Sequence, residues 1–180
     1  MEKTEIIQAV IDIAQAKGWD KTSVRDISKK INYSTIKIYS DFGSKDGLLQ
    51  EVQKEGFRRL RRAYVKSGDN AIDATEKLVQ LTLAHYRFAR QHRAYYELMF
   101  QMNGSECSTP GGDVLQTASE PIRQLIQKIH GEVNRTLFFH WWALAHGFVV
   151  ITDTQSKLSL AEALKMLSTI IRRFVSSIRN

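Results

Sequence analysis

The chain contains very little cysteine and proline, and both shortages limit the folds it can adopt. Cys107 is the single cysteine among 180 residues, so no disulfide can form within the chain and a reducing compartment is expected. The two prolines, Pro110 and Pro121, are too few for a fold with many turns. Their scarcity favours long helices over an all-β fold.

Long hydrophobic runs and an N-terminal signal pattern are also missing. The longest apolar run, from Leu137 to Ile151, contains His140 and His146 and is too short and too polar for a membrane span. The first residues, Met-Glu-Lys-Thr-Glu, do not form the charged and then apolar pattern of a signal peptide. We therefore expect a cytoplasmic protein without a membrane partner.

Motifs typical of catalysis and metal binding do not occur. The sequence has no phosphate-loop motif, no Gly-x-Ser-x-Gly elbow and no His-Glu-x-x-His, and its histidines form no pair four residues apart. With 43% hydrophobic residues, a chain of this size can bury a core without a metal ion or a disulfide. We expect no catalytic residues, no metal site and no cofactor, and hence a protein that is not an enzyme.

Positive charge is concentrated in the first third of the chain. Residues 1–67 contain 14 lysines and arginines against 9 aspartates and glutamates, whereas the remaining residues contain 12 against 10. This asymmetry indicates a polyanionic partner, either nucleic acid or an anionic membrane. On charge alone, a basic surface that only contacts solvent is an equally good interpretation.

Hydrophobic periodicity predicts an all-α chain of about nine helices and no strands. Gly18 and Asn32 stand where the first two helices need a residue with a left-handed backbone, and Ser23 and Ser44 are suited to cap the helices that follow them. Pro121 either kinks its helix or marks a restart. The predicted helices cover approximately residues 3–17, 23–31, 34–42, 44–66, 72–90, 94–102, 113–130, 132–152 and 159–179.

Two short helices joined by a tight turn, between Ser23 and Phe42, are a candidate helix-turn-helix. In such motifs the N-terminal residues of the second helix approach base edges in the major groove. Ile38 and Phe42 are four residues apart and can anchor this helix to a core. The residues left facing outward are Thr35, Ile36, Lys37, Tyr39 and Ser40.

The outward side chains suit DNA by their chemistry. Lys37 can donate to guanine, Ile36 can contact a thymine methyl group, and Thr35 can do either. Phosphates are suitable partners for Ser34, Tyr39 and Lys45. An ordinary helical hairpin with a solvated outer face is the alternative, but an outward isoleucine and tyrosine on a short helix fit it less well.

The same segment resembles the N-terminal domain of the TetR (tetracycline-repressor) family. The resemblance is carried by Thr-Ser-Val-Arg-Asp-Ile at 22–27 and Ser-Thr-Ile-Lys-Ile-Tyr-Ser-Asp-Phe-Gly-Ser-Lys-Asp-Gly-Leu-Leu at 34–49. It implies a helix-turn-helix domain over residues 1–48 and a helical domain for ligand binding and dimerisation over residues 49–180. It also implies phosphate contacts from Thr22, Ser23, Ser34, Tyr39 and Lys45, and base contacts from Thr35, Ile36, Lys37 and Ser40.

The sequence departs from the family pattern at the turn and in the second helix. Ile31-Asn32 stands where Ala-Gly is usual, and Ile36 and Lys37 stand where smaller residues are usual. Bulkier side chains at the groove imply a different operator sequence and do not affect the fold. Further along, Trp142, His146 and Gly147 are similar to the Trp-His-Gly signature of one class of TetR C-terminal domains, and residues 93–100 are similar to its companion segment.

Aromatic and methionine side chains are concentrated between the DNA-binding segment and the C-terminus. Helical bundles often bind ligands between helices lined by such residues, although each one taken singly is more often part of an ordinary core. The resemblance implies an inducer pocket for a hydrophobic or amphipathic small molecule. The candidate lining residues are Tyr86, Phe88, Tyr95, Tyr96, Met99, Phe100, Met102, Phe138, Trp141 and Trp142.

The last two helices suggest dimerisation. Large apolar residues of the last helix recur at spacings of four and three, which is typical of a seam between packed helices. The preceding helix is apolar nearly all round, which indicates burial on both faces. Burial within one monomer is the alternative, but the resemblance and the symmetry of palindromic operators favour a homodimer. The predicted interface residues are Leu160, Leu164, Leu167, Ile171, Phe174 and Ile178.

Together these features predict a DNA-binding transcriptional regulator of the TetR family. We expect a homodimeric repressor that a small hydrophobic or amphipathic ligand releases from a palindromic operator in double-stranded DNA. The alternatives are a ligand-independent protein that organises DNA, or an enzyme on a regulator-like scaffold.

Overall fold

In a computed structural model of the chain, residues 2–68, 71–102, 112–154 and 158–179 are described; Cys107 and Pro110 lie outside these ranges. The described residues form nine α-helices and no strand, so the predicted all-α architecture is confirmed. The helices are α1 (Lys3–Lys17), α2 (Val24–Ile31), α3 (Thr35–Phe42), α4 (Lys45–Ser67), α5 (Ala74–Gln91), α6 (Arg93–Met99), α7 (Gly112–His130), α8 (Arg135–Thr154) and α9 (Leu160–Ile178).

The helix ends follow local sequence signals. Gly18 ends α1 with φ 85°, and Asn32 ends α2 in the left-handed region with φ 48° and ψ 47°. The Ser23 hydroxyl accepts a hydrogen bond from the backbone N–H of Asp26 and so caps α2. In contrast, α7 continues through Pro121 without a restart. Because β-branched residues give α3 a weak intrinsic propensity and no side chain caps its N-terminus, α3 depends on packing through Ile38.

The described residues divide into two compact units, and neither is a single stretch of the sequence. The first unit contains α1, α2, α3, the part of α4 up to Arg58, and α6. Within it, α1 packs against α2 and α6, and α2 packs against α3. Its core consists largely of aliphatic side chains: Ile6, Val10, Ile27, Ile38, Leu48, Val52 and Leu98.

Two hydrogen bonds attach α6 to the rest of the first unit. The Trp19 indole N–H donates to the carbonyl of Ala94 at 3.1 Å, and the Gln53 side-chain amide donates to the carbonyl of Leu98 at 3.0 Å. Helix α4 also approaches α6 closely at Gly56, where a Cβ atom would lie 2.6 Å from the sulfur of Met99. The helix-turn-helix therefore shares one core with α6, although about fifty residues separate them in the sequence.

The second unit contains α4 from Arg59, α5, α7 from Gln116, α8 and α9. In this unit α5 packs against both α8 and α9, and α8 packs against α9. An ion pair between Arg172 and Glu76 joins α9 to the start of α5 at the surface. No helix in the described ranges is both long and apolar enough to cross a membrane.

Candidate functional site

The turn between α2 and α3 is built from three residues, Asn32, Tyr33 and Ser34. The left-handed Asn32 ends α2, and the backbone N–H of Tyr33 donates to the carbonyl of Ser28 at 3.0 Å. Ile38 anchors α3 to the core with 1% of its surface exposed. The predicted second anchor, Phe42, is half-buried, and the centroid of its ring lies 5.3 Å from the ammonium of Lys3. These contacts fix which face of α3 points outward.

The outer face of α3 presents the side chains that the sequence predicted to face DNA. Ile36 is 79% exposed and Tyr39 is 47% exposed. Lys37 and Ser40 are also exposed, whereas Thr35 is half-buried. An isoleucine exposed to this extent has no role in the core, which is consistent with a contact to another molecule.

Exposed polar residues flank α3 at both ends. Ser34 is exposed, and its hydroxyl makes no capping hydrogen bond, so it can donate elsewhere. Ser44 caps α4 by accepting a hydrogen bond from the backbone N–H of Gly47 at 2.9 Å. Lys45, which is exposed, is the first residue of α4. A cation at a helix N-terminus is well placed to bind a phosphate together with the terminal N–H groups.

Two residues with predicted phosphate contacts have structural roles instead. Thr22 is 3% exposed, and its hydroxyl donates to the carbonyl of Gly18 at 2.8 Å. Burial and this bond leave its side chain no surface for a phosphate, so its assignment by resemblance is corrected. The Ser23 hydroxyl caps α2 and also bonds to the Asp26 carboxylate.

Ser23 and its neighbours tie the start of α2 to the end of α1. The Lys17 ammonium lies 2.8 Å from the Asp26 carboxylate, and this bond, with help from the Ser23 hydroxyl, lowers the pKa of Asp26 to about 2. A second ion pair joins Lys30 to Asp12 at 3.4 Å. Both ion pairs join α1 to α2 at the surface of the first unit.

Half of the predicted ligand-pocket residues belong to the first unit. Tyr95, Tyr96 and Met99 are buried, and Phe100 packs edge-on against Phe57 and Tyr96 with ring-centroid distances of 5.7 Å and 4.6 Å. Met102 is exposed. In this unit the aromatic residues of α6 therefore contribute to the core that supports the helix-turn-helix.

The other half belong to the second unit, where polar atoms are hydrogen-bonded inside an aromatic core. Trp141 is buried, and its indole N–H donates to the hydroxyl of Thr82 at 2.9 Å. The Tyr86 hydroxyl donates to that of Thr152 at 3.1 Å. Phe88 and Phe138 are also buried, whereas Trp142 is half-buried.

Two histidines lie beside these residues: His85, which no predicted site included, and His146, which belongs to the segment similar to the Trp-His-Gly signature. His85 is fully buried, its Nδ1 and the hydroxyl of Tyr64 share a hydrogen bond of 2.6 Å, and its ring packs edge-on against Trp142. Trp142 in turn stacks on His146 with centroids 5.2 Å apart. Burial, and secondarily the neighbouring His146, lower the pKa of His85 to about 3, and burial also lowers the pKa of His146.

Both imidazoles are therefore neutral at physiological pH and can each donate and accept a hydrogen bond. The sequence signal for His85 was its position within the apolar face of α5. A histidine inside an apolar stripe indicates a buried polar contact, but its partner Tyr64 lies on another helix and could not be identified from spacing.

The predicted dimer seam on α9 faces the core of its own chain. Leu167, Ile171, Phe174 and Ile178 are all buried in the single chain, because this side of α9 packs on α5 and α8. Leu164 is half-buried and Leu160 is exposed. The repeat of four and three thus reports an intramolecular contact for Leu167, Ile171 and Ile178, and their assignment to an interface is corrected accordingly. The assignment of Leu160, Leu164 and Phe174 stays a prediction.

An open groove of about 570 Å³ lies between α8 and α9. Its apolar floor includes Ala143, Leu144, Ile170 and the seam residue Phe174, and the polar residues His140, Arg173 and Ser177 also line it. Two large apolar residues of the same helices, Phe139 and Met166, are about half exposed. Exposed apolar surface on neighbouring helices is typical of a protein interface.

Comparisons with known proteins agree with this architecture. Residues 6–52 match the family model of bacterial regulatory proteins, tetR family, and residues 78–173 match that of the tetracyclin repressor-like C-terminal domain. The description of the second model does not include the Trp-His-Gly signature, so that class stays a prediction.

Similarity to individual proteins is lower but points the same way. The chain is 26% identical over 124 residues to the HTH-type transcriptional repressor KstR2 of Mycolicibacterium smegmatis, a match that covers 68% of this chain and 60% of that protein. It is similar in fold to the fatty acid degradation regulator FadR of Bacillus halodurans, with a TM-score of 0.77, 18% identity and coverage of 94% and 93% of the two chains.

A second solved structure, the TetR family regulator PfmR of Thermus thermophilus, is similar with a TM-score of 0.70 and 19% identity over 93% of this chain and 97% of that one. At such identities these structures support the fold alone. The C-terminal family model spans more than half of the chain, and the N-terminal model coincides with the helix-turn-helix and its exposed recognition face. The chain therefore belongs to the TetR family of bacterial transcriptional regulators.

Proposed function

We propose that this protein is a homodimeric transcriptional repressor that binds a palindromic operator and is released by a small hydrophobic or amphipathic ligand. It acts by binding and not by catalysis, and its work on chromosomal DNA requires a cytoplasmic location. The exposed outer face of α3, with Ile36 79% exposed, is the observation that carries the proposal. Family membership supports it, because TetR regulators bind operator DNA, form dimers and bind small molecules.

Residues 1–48 supply the DNA contacts. Thr35, Ile36 and Ser40 approach the bases, Lys37 donates to guanine, and Ser34, Tyr39 and Lys45 contact phosphates. Ser23 supports DNA binding only indirectly, by capping and so orienting α2. Thr22 is no longer among the proposed phosphate contacts. This assignment uses only side chains that are exposed or half-buried.

Residues 49–180 supply dimerisation and ligand binding. A two-fold dimer is needed to place two copies of α3 in successive major grooves of a palindrome. The groove between α8 and α9, with its exposed apolar floor, supports an interface on that face. The aromatic core of the second unit, in which Trp142 and His146 are only partly buried, supports binding of an apolar ligand with few polar groups.

The names of two relatives bear on the ligand class. FadR is described as a regulator of fatty acid degradation and KstR2 as a repressor. A repressing role for this chain is consistent with the name of KstR2, and a lipophilic ligand is consistent with the name of FadR and with the apolar character of the second unit.

The proposal is tested by selecting binding sites from a pool of random duplexes with the full chain at physiological salt. A repressor should enrich a palindrome and bind it at least about 10³-fold more tightly than random DNA. A protein that organises DNA should show no such preference. A panel of lipophilic compounds is then screened for release of the selected duplex, and a ligand-independent regulator would respond to none of them.

Replacing Lys45 by alanine should weaken binding to the selected palindrome and to random DNA by similar factors. A phosphate contact carries no sequence information. A variant that lacks the contact also releases fewer counterions from the DNA when it binds. The plot of log affinity against log salt should become shallower by about 1 to 2 units per dimer. Lys128→Ala, an exposed lysine on α7, is the matched control and should leave the slope unchanged. An unchanged slope in Lys45→Ala would remove Lys45 from the phosphate contacts.

Replacing Lys37 by alanine should mainly reduce discrimination. A lysine that donates to guanine distinguishes one base pair, at about 1–3 kcal/mol for each contact. Titrations of the variant on the selected palindrome, on single-base substitutions of it and on random duplex measure this loss. Equal weakening on all three would assign Lys37 to a phosphate.

A further inference from the structure

Three side chains on one flank of α3 contact each other, and two of them have no place in the DNA-binding set described above. The Tyr33 hydroxyl donates to the Asp41 carboxylate at 3.1 Å, which connects the turn before α3 to its last residues. Between them, the Lys37 ammonium lies 5.7 Å from the centroid of the Tyr33 ring. Lys37 and Asp41 are four residues apart and so share one side of α3, and these contacts place Tyr33 of the preceding turn on that side.

The Asp41 carboxylate keeps Tyr33 in its donating form. The hydrogen bond to Asp41 and, to a smaller extent, burial raise the pKa of the Tyr33 phenol above its ordinary value. The hydroxyl therefore stays protonated at any physiological pH, and its bond to Asp41 holds the ring in one orientation. Tyr33 is half-buried, so the ring is also supported from below by the turn.

An oriented aromatic ring restricts a lysine that would otherwise move freely. Lys37 is exposed, and an exposed lysine side chain has many rotamers. A contact with one DNA group would restrict it to a few of them, which costs conformational entropy. Attraction between the ammonium and the ring face favours the rotamers in which Lys37 lies along α3. The carboxylate on the same flank repels a phosphate and thus disfavours an approach of the DNA backbone there.

We propose that Tyr33 and Asp41 are positioning residues that hold Lys37 along α3 so that it reads a guanine base and does not bind a phosphate. The inference rests on the proposed function, because it requires that α3 enters the major groove. Tyr33 acts directly on Lys37, and Asp41 acts through Tyr33.

The test uses the full chain and the palindrome selected from random duplexes with the wild-type protein. Tyr33→Leu should lower discrimination at one base pair in each half-site by about 2- to 5-fold, the range expected for an exposed cation–π contact. Affinity for random duplex should not fall, because a released Lys37 can still reach a phosphate. Tyr33→Phe, which keeps the ring and loses the bond to Asp41, should show a smaller loss at the same base pair.

Asp41 offers a matched pair of substitutions. Both Asp41→Asn and Asp41→Ala remove a negative charge and should strengthen binding to random duplex. Only the asparagine retains an oxygen that accepts from the Tyr33 hydroxyl. Discrimination at the base pair read by Lys37 should therefore fall in Asp41→Ala and be largely kept in Asp41→Asn.

A double-mutant cycle separates positioning from an independent contact. In the Lys37→Ala background, Tyr33→Leu should cause no further loss of discrimination, because the residue it positions is gone. Additive losses, or equal weakening of palindrome and random duplex by Tyr33→Leu, would overturn the inference and assign Tyr33 its own DNA contact. Unchanged discrimination in a Tyr33→Leu protein that melts like wild type would overturn it too. If the wild-type protein enriches no palindrome, the proposed function itself fails.

Discussion

Introducing glutamate at both Leu144 and Ile170 should give a protein that is folded but monomeric. Both residues contribute to the apolar floor of the groove between α8 and α9, and both are only partly buried in the single chain. In the monomer, the added carboxylates remain in contact with water. In a dimer that uses this face they would be buried next to their symmetry copies, which disfavours association. Circular dichroism should retain the helical signal, while light scattering after size exclusion should report about half the wild-type mass.

Operator binding should fall with the loss of the dimer. Binding two linked half-sites increases the affinity over binding one by a factor of about 10² or more. The affinity of the monomeric variant for the selected palindrome should therefore fall by at least that factor. Ala161→Glu is the control, since it adds a carboxylate to an exposed position of α9 outside the groove. A variant with both glutamates that elutes as a dimer would exclude this face from the interface.

Ile171→Glu should behave differently from the groove variants. Ile171 is completely buried inside its own chain, so the carboxylate would be placed in an apolar core without a partner. Unfolded or insoluble protein is the expected result. Soluble monomers from Ile171→Glu would instead favour the original interpretation of α9 as a seam between two chains.

The contrast between these variants shows what periodicity can and cannot establish. The spacing of Leu167, Ile171, Phe174 and Ile178 correctly identified one apolar side of a helix. A period of four and three is the same for a helix packed in its own chain and for one packed on a second copy. The competing partner was α5, and nothing in the sequence of α9 reveals that α5 covers it.

Local signals were sufficient for the helix-turn-helix. The cap at Ser23, the left-handed Asn32 and the inward Ile38 are all consequences of interactions within ten residues, which is the range over which sequence patterns are informative. The same resemblance misassigned Thr22, because its side chain is buried and its hydroxyl donates to the carbonyl of Gly18, which a sequence pattern does not reveal.

Contacts distant in sequence could not be predicted. The bonds from Trp19 and Gln53 to α6 span 75 and 45 residues, and they place α6 in the unit that contains the helix-turn-helix. Composition marked α6 only as rich in aromatic residues and methionine, which suits a core and a ligand pocket equally well.

Acidification should destabilise the protein through His85. Its ordinary pKa of 6.5 applies to the unfolded chain, whereas burial lowers the pKa in the native protein to about 3. Between these values the unfolded chain binds a proton that the native protein does not bind, so the free energy of unfolding decreases as the pH falls. The contribution of this residue amounts to about 2 kcal/mol between pH 7 and pH 5.

Urea unfolding of wild-type protein and of His85→Gln over this pH range, at one protein concentration, measures the effect. The variant loses the hydrogen bond to Tyr64 and should be less stable at pH 7, by about 1 kcal/mol or more. It also lacks the titrating group, so the difference between the two proteins should shrink steadily towards pH 5 and can reverse there.

The sign of the trend distinguishes burial from pairing. A histidine held as a cation by a neighbouring acid would have a raised pKa, and its contribution to the free energy of unfolding would increase as the pH falls. The groups facing His85 include the Tyr64 hydroxyl, the rings of Trp141 and Trp142, and His146, whose positive form would only oppose the protonation of His85. If the free energy of unfolding changes with pH in the same way in wild type and His85→Gln, then His85 protonates equally in the native and the unfolded chain. In that case water reaches the Tyr64–His85 pair.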